Sequence, residues 1–128
     1  MPHSSLQTPR SRVKYLGSAK SGTLHAWRMR LTAFALLPLT FSFVVILVLL
    51  AGRDYDSARA LLGAPCPAIL LILFIGAGVV HMGLGMQTII EDYIHGEHPK
   101  SLALMANACF SVLIAIASVY AVLRLSFT

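Results

Sequence analysis

Charge is missing from most of this chain. No Lys, Arg, Asp or Glu occurs between Leu31 and Ala51, between Leu61 and Ile90, or between Ser101 and Leu123. Charged residues fill 12% of the 128 positions and hydrophobic ones 57%, whereas an ordinary soluble domain carries about 25% charge. A water-soluble fold of this length would lack the polar surface it needs, so a soluble enzyme is excluded. Acid is scarcer still, and every acidic residue follows Arg53. Arg10, Arg12, Lys14, Lys20, Arg28 and Arg30 therefore precede the first apolar run with no acid among them. Lys and Arg gather on the cytoplasmic side of a bilayer, which accounts for the net charge of +5 without any nucleic acid. Cys66 and Cys109 form no CxxC pair, so neither a zinc knuckle nor a dithiol motif is present. They are expected to serve as small packing residues.

The three uncharged stretches are what remains, and each is long enough to cross a membrane. Leu31 to Leu50 covers about 30 Å as a helix, the thickness of a bilayer's hydrocarbon. Further spans are expected over 67–90 and 101–123, with Pro67 suited to a first helical turn. The first run lies too far into the chain, and is followed by too many others, to read as a cleaved signal peptide. Pro38 falls inside the first span and is expected to bend it. Residues 1–20, rich in Ser and Pro, read as a mobile cytoplasmic arm, and 21–128 as the transmembrane domain. Residues 51–62 form a polar connection with room for one short surface helix, and 91–100 a polar turn.

Basic residues set the orientation. The N-terminal arm and second loop hold six plus Lys100, against Arg53, Arg59 and Arg124 in the first loop and tail. The expected fold is thus an all-α integral membrane protein with three transmembrane helices, the N-terminus cytoplasmic and the C-terminus periplasmic. Trp27, Arg28 and Arg30 suit the headgroup level, where an indole straddles wet and dry layers and arginine reaches phosphates.

His81 is the one ionisable side chain between Ala68 and Met86, inside the second span. An imidazole in hydrocarbon is costly unless its nitrogens are occupied, which makes it a functional candidate. At 100° per residue, Gly78, Gly85, Thr88 and Asp92 lie within about 60° of it, flanked by Ala77 and Met82. Such a small face admits either a closely packed helix or a large flat ligand such as a porphyrin. A neutral imidazole bonded to a neighbouring helix is the plainer alternative. No second histidine lies within a span, so both-sided histidine ligation of haem iron would need another chain.

Glu91, Asp92 and Tyr93 end the second span. The acids oppose the helix dipole there, and either they are wet loop residues or they line a polar pocket at the membrane face with Tyr93 as a phenolic donor. Tyr93 lies about 18 Å along the axis from His81 if the helix continues, rotated by roughly 120°. On the third span Ala103, Asn107, Ser111, Ala115 and Ser118 make a small, weakly polar stripe that reads as a packing face.

The segments Ser18-Ala-Lys-Ser-Gly-Thr-Leu-His25, Trp27-Arg-Met-Arg30-Leu-Thr-Ala33 and, above all, His81-Met-Gly-Leu-Gly-Met-Gln-Thr-Ile-Ile-Glu-Asp-Tyr93-Ile-His95 resemble the hydrophobic membrane anchor subunits of succinate dehydrogenase (succinate:ubiquinone oxidoreductase, respiratory complex II) in their alphaproteobacterial form. The resemblance runs from about Leu16 to the C-terminus. It implies that His81 is an axial ligand of haem b iron, with the opposite ligand from a second, cytochrome b556-type anchor subunit. It implies further that Tyr93 hydrogen-bonds ubiquinone beside Asp92, and that Trp27, Arg28 and Arg30 help hold quinone or haem propionates. The implied partners are that anchor, the flavoprotein subunit, the iron–sulphur subunit and membrane lipid, in a bacterial inner membrane, with trimers of heterotetramers as a possible higher assembly. On this reading the isolated chain is not an enzyme. Ala26 and Met29 depart from the family's common tryptophan and glutamine. The alternatives are a haem b subunit of another quinone-linked complex and a cofactor-free membrane scaffold.

Overall fold

A computed structural model describes residues 20–127, which leaves almost all of the expected N-terminal arm outside the described residues. Four helices follow one another: α1 (Lys20–Leu50), α2 (Tyr55–Gly63), α3 (Pro65–Tyr93) and α4 (Glu97–Phe127). Three of them, over Gly22–Leu50, Pro65–Tyr93 and Glu97–Phe127, are long and apolar enough to cross a membrane.

Each helix outruns its hydrophobic stretch. The residues around His25 and Trp27, ahead of the apolar run, belong to the same helix as the first span. Backbone hydrogen bonding is indifferent to side-chain polarity, so charge marks where hydrocarbon ends and leaves the helix free to continue. The second connection shrinks accordingly to Ile94–His95–Gly96. There the Lys100 ammonium donates to the Glu91 carbonyl at 3.0 Å, placing a cation on the C-terminal end of α3 that the two acids alone would disfavour. Pro38 is accommodated within α1, and the Ser42 hydroxyl donates back to its carbonyl at 2.9 Å.

The first connection is built by local chemistry. The Arg53 side chain donates to the Leu49 carbonyl at 2.6 Å, closing α1, and Gly52 takes the left-handed φ of 78° that the turn requires. Asp54 then caps α2 by accepting from Ser57 N. Hydrogen bonding from the Ser57 side chain, and then from its backbone N–H, holds the Asp54 carboxyl below the usual carboxylate range.

α3 is the central element, packed along both α1 and α4, while α2 lies against α4 and the start of α3. Phe43 of α1 stacks on Phe74 of α3, with centroids 4.6 Å apart and planes 10° from parallel. The small stripe of α4 faces inward as expected: the Asn107 amide donates to the Gly83 carbonyl at 2.9 Å, and a Cβ on Gly83 would come 3.2 Å from Ser111 Oγ. Among the described residues only Ile46, Ala68, Ile90 and Val122 are buried, while Phe34, Phe41, Leu102 and Ile116 stand mostly exposed. This is the surface of a chain whose apolar faces meet lipid or other subunits. Cys66 and Cys109, expected in packing roles, are free and exposed on the outside of the bundle. A thiol behaves there as one more small apolar group.

Candidate functional site

α1 and α3 run antiparallel, and two hydrogen bonds set their register. His81 Nδ1 on α3 meets Thr32 Oγ1 on α1 at 3.1 Å. His25 Nε2 on α1 meets Thr88 Oγ1 on α3, also at 3.1 Å. Seven residues separate the histidine from the threonine on each helix. Seven residues is close to two turns, so the same pair recurs with its donors exchanged.

The protons can be assigned from the hydroxyls. Thr32 has one hydrogen, and the carbonyls of Arg28 and Met29 lie at 2.9 and 3.0 Å from its oxygen. A hydroxyl that gives its proton to the backbone accepts from its third neighbour, so Nδ1 of His81 carries the ring hydrogen and donates. In the neutral ring the lone pair then lies on Nε2. By the same argument Thr88 donates to the Leu84 carbonyl at 3.1 Å and accepts from Nε2 of His25.

The face around His81 is divided. Gly78 lies beneath Leu36 of α1, whose Cδ2 would sit 4.0 Å from an added Cβ, and Thr88 is engaged by His25. Gly85 is different, since a Cβ there would meet nothing within 4 Å. A Cβ on Gly78 would make an ordinary contact with α1, whereas Gly85 faces open space within this chain. His81 is half-buried. Among the described residues no three His, Cys, Asp or Glu side chains cluster as a metal-ion cage.

The register also ranks the other expected residues by depth. Tyr93 is the last residue of α3, 78% exposed, with Asp92 exposed beside it. Helix continues from His81 to Tyr93, so about 18 Å of axis separates them. Trp27, Arg28 and Arg30 lie on α1 between the levels of His25 and Thr32, hence between Tyr93 and His81. Trp27 is 62% exposed and both arginines are exposed. These residues share one end of the bundle. The sequence reading missed the role of Thr32 and of the His25–Thr88 bond. The equal seven-residue spacing was the available signal, but it acquires meaning only once the two helices are set side by side.

The arrangement defines a class: an all-helical chain with three helices long and apolar enough to cross a membrane, whose large apolar side chains stand mostly exposed. The description "Succinate dehydrogenase/Fumarate reductase transmembrane subunit" fits residues 4–121. A succinate dehydrogenase hydrophobic membrane anchor subunit of Paracoccus denitrificans is 36% identical over 118 residues, covering 92% of this chain and 91% of that protein. The corresponding subunit of Rickettsia bellii is 33% identical over 113 residues, 87% of this chain and 89% of its own length. A succinate dehydrogenase membrane anchor subunit of Reclinomonas americana is 28% identical over 88 residues, 66% of this chain and 73% of that protein. No solved structure matches the chain. The chain belongs to the family of succinate dehydrogenase/fumarate reductase transmembrane subunits.

Proposed function

We propose that this chain anchors a succinate dehydrogenase in a bacterial inner membrane, would hold haem b iron through His81 Nε2, and forms one wall of a ubiquinone site with Tyr93. The observation that carries the reading is the Thr32 bond, which engages Nδ1 of His81 and so puts the lone pair of a neutral ring on Nε2. A metal-bound histidine characteristically donates its other N–H to a neighbouring oxygen, which fixes the ring and raises its basicity. Gly85 gives a flat macrocycle room on the same face. Haem b bound there would supply a one-electron carrier in a dry environment.

The rest is work for side chains. Tyr93 can donate its phenolic hydrogen to a quinone carbonyl and stabilise negative charge as it develops on that oxygen. Asp92 lies beside it at the wet end of α3. Arg28 and Arg30, at depths between Tyr93 and His81, suit the carboxylates of haem propionates or the polar edge of a quinone. Trp27 sits at the same level as an interfacial anchor. The excess of basic residues near the N-terminus favours a cytoplasmic placement of this end, where a flavoprotein subunit oxidising succinate and an iron–sulphur subunit would dock. A second anchor would provide the opposite haem ligand. The chain carries no catalytic group of its own on this reading.

The Thr32 bond also favours a plainer reading, an imidazole that only ties α1 to α3. The two separate in the absorption spectrum of the purified complex. His81→Ala should abolish the b-type haem bands, and a variant with unchanged haem content would reject the ligand assignment.

A further inference from the structure

At the end of the bundle remote from Trp27 and Tyr93, α2 is pressed onto the last turns of α4. A Cβ on Gly63 would lie 2.5 Å from the Leu125 carbonyl oxygen. This docking brings together two pairs with the same composition and spacing. Tyr55 and Arg59 are four residues apart on α2, Tyr120 and Arg124 four apart on α4, and residues so spaced share a helix face. All four line one cavity of about 610 Å³. Tyr55 and Tyr120 are 76% and 64% exposed, so neither ring is spent on the protein core. Asp56 lines the neighbouring cavity on the other side of Arg59.

Tyr120 belongs to a second hollow as well. A shallow, open apolar groove on the outer face of α4, lined by that helix alone, runs from Ala108 through Val112 and Ile116 to Tyr120. Twelve residues of helix span about 18 Å, comparable with the roughly 15 Å of one hydrocarbon leaflet. A polar recess with two guanidinium groups thus opens at the bilayer edge onto an oily trough directed into the membrane. Guanidinium forks match phosphate oxygens, and tyrosine suits the boundary between headgroups and chains. A free phosphate would fit the recess and leave the trough without purpose.

We propose that Arg59 and Arg124, with Tyr55 and Tyr120, hold the phosphate headgroup of an anionic phospholipid whose acyl chain lies in the groove along α4. The site depends on the membrane-spanning reading of the helices and on neither haem nor quinone. It is tested on the assembled, delipidated complex titrated with phosphatidylglycerol or phosphatidylcholine, counting bound lipids by native mass spectrometry. Wild type should bind one phosphatidylglycerol more tightly than phosphatidylcholine, and excess inorganic phosphate should not displace it. Arg59→Gln and Arg124→Gln should each weaken that binding about fivefold, the scale for one cation at an anionic surface. Ala117→Phe, which fills the groove and leaves both arginines, should weaken it also, while unchanged subunit composition shows that each variant assembles. Equal affinity for the two lipids, full binding by the double arginine variant, or displacement by phosphate would overturn the proposal. So would a photo-crosslinker at Tyr120 that captures the second anchor subunit instead of lipid.

Discussion

Thr32 and His81 hold one another at 3.1 Å across α1 and α3, and the threonine's own proton goes to the backbone. Two consequences follow from this one contact. It ties the first span to the second, and it decides which ring nitrogen of His81 is available. A residue that acts through another in this way leaves a graded signature. Thr32→Val removes the acceptor while keeping the shape, so the ring can rotate or change tautomer. Haem should then dissociate about 10–100-fold more readily, the usual cost of losing an outer-shell partner. Thr32→Ser should restore retention, since it keeps the hydroxyl. Haem release into apomyoglobin from the purified complex reads the difference; equal release by Val and Ser variants would reduce Thr32 to a packing residue.

Gly85 makes an independent test of what lies against the same face. A Cβ there would meet nothing within 4 Å in this chain, and Gly85→Leu should leave the helices folded and, with Gly replaced in a helix, favour them slightly. If the face is occupied from outside by haem, the variant should assemble with haem content well below wild type. Full haem occupancy in Gly85→Leu, measured by pyridine haemochrome per complex, would place the macrocycle elsewhere.

How much of this could be read from the chain alone is clear from particular residues. The three spans were legible because hydrocarbon forbids charge, and their uncharged runs need no structure to be seen. The ends were not: Glu91, Asp92 and Tyr93 look like loop, yet continue α3, because a helix persists past the membrane edge wherever its backbone bonds are satisfied. His81 announced itself by being ionisable in an apolar setting. Thr32 did not, since a threonine near a span's start is unremarkable until a partner 49 residues away is brought to it. The orphan space at Gly85 was likewise invisible, because a helical wheel gives faces and not neighbours.

Tyr93 should affect one half of the reaction only. Tyr93→Phe removes the phenolic donor and preserves the ring at the exposed end of α3. A hydrogen bond to a group gaining negative charge is worth about 1.5–3 kcal/mol, so quinone reduction should fall roughly 10–100-fold. Succinate oxidation by a soluble artificial acceptor should remain near wild type. Equal loss of both activities would mean that the substitution disturbs assembly.

Asn107 ties α3 to α4 midway along the bundle, its amide reaching the backbone carbonyl of Gly83. Gly83 O already has a place in the helical ladder of α3, so losing the amide leaves no unsatisfied carbonyl behind. Asn107→Ala should therefore cost only about 0.6–1.7 kcal/mol, the range for polar ties between membrane helices. Thermal unfolding of the complex in detergent measures it, and a loss well beyond that range would show that Asn107 holds something besides Gly83.

Gly63 should be the least tolerant glycine of the described chain. A Cβ added there would stand 2.5 Å from the Leu125 carbonyl oxygen, and a backbone atom cannot swing aside as a side-chain tip can. Either α2 lifts from α4 or the last turn of α4 gives way. Overpacking of this kind costs about 1–3 kcal/mol. Gly22→Ala is the control: its Cβ meets nothing within 4 Å, and the change improves helix propensity. Gly63→Ala should lower the melting temperature of the complex and raise hydrogen exchange across Tyr55–Gly63, with haem content unaffected because His81 lies far from this end. Haem loss accompanying the shift would show instead that the two ends of the bundle unfold as one cooperative unit.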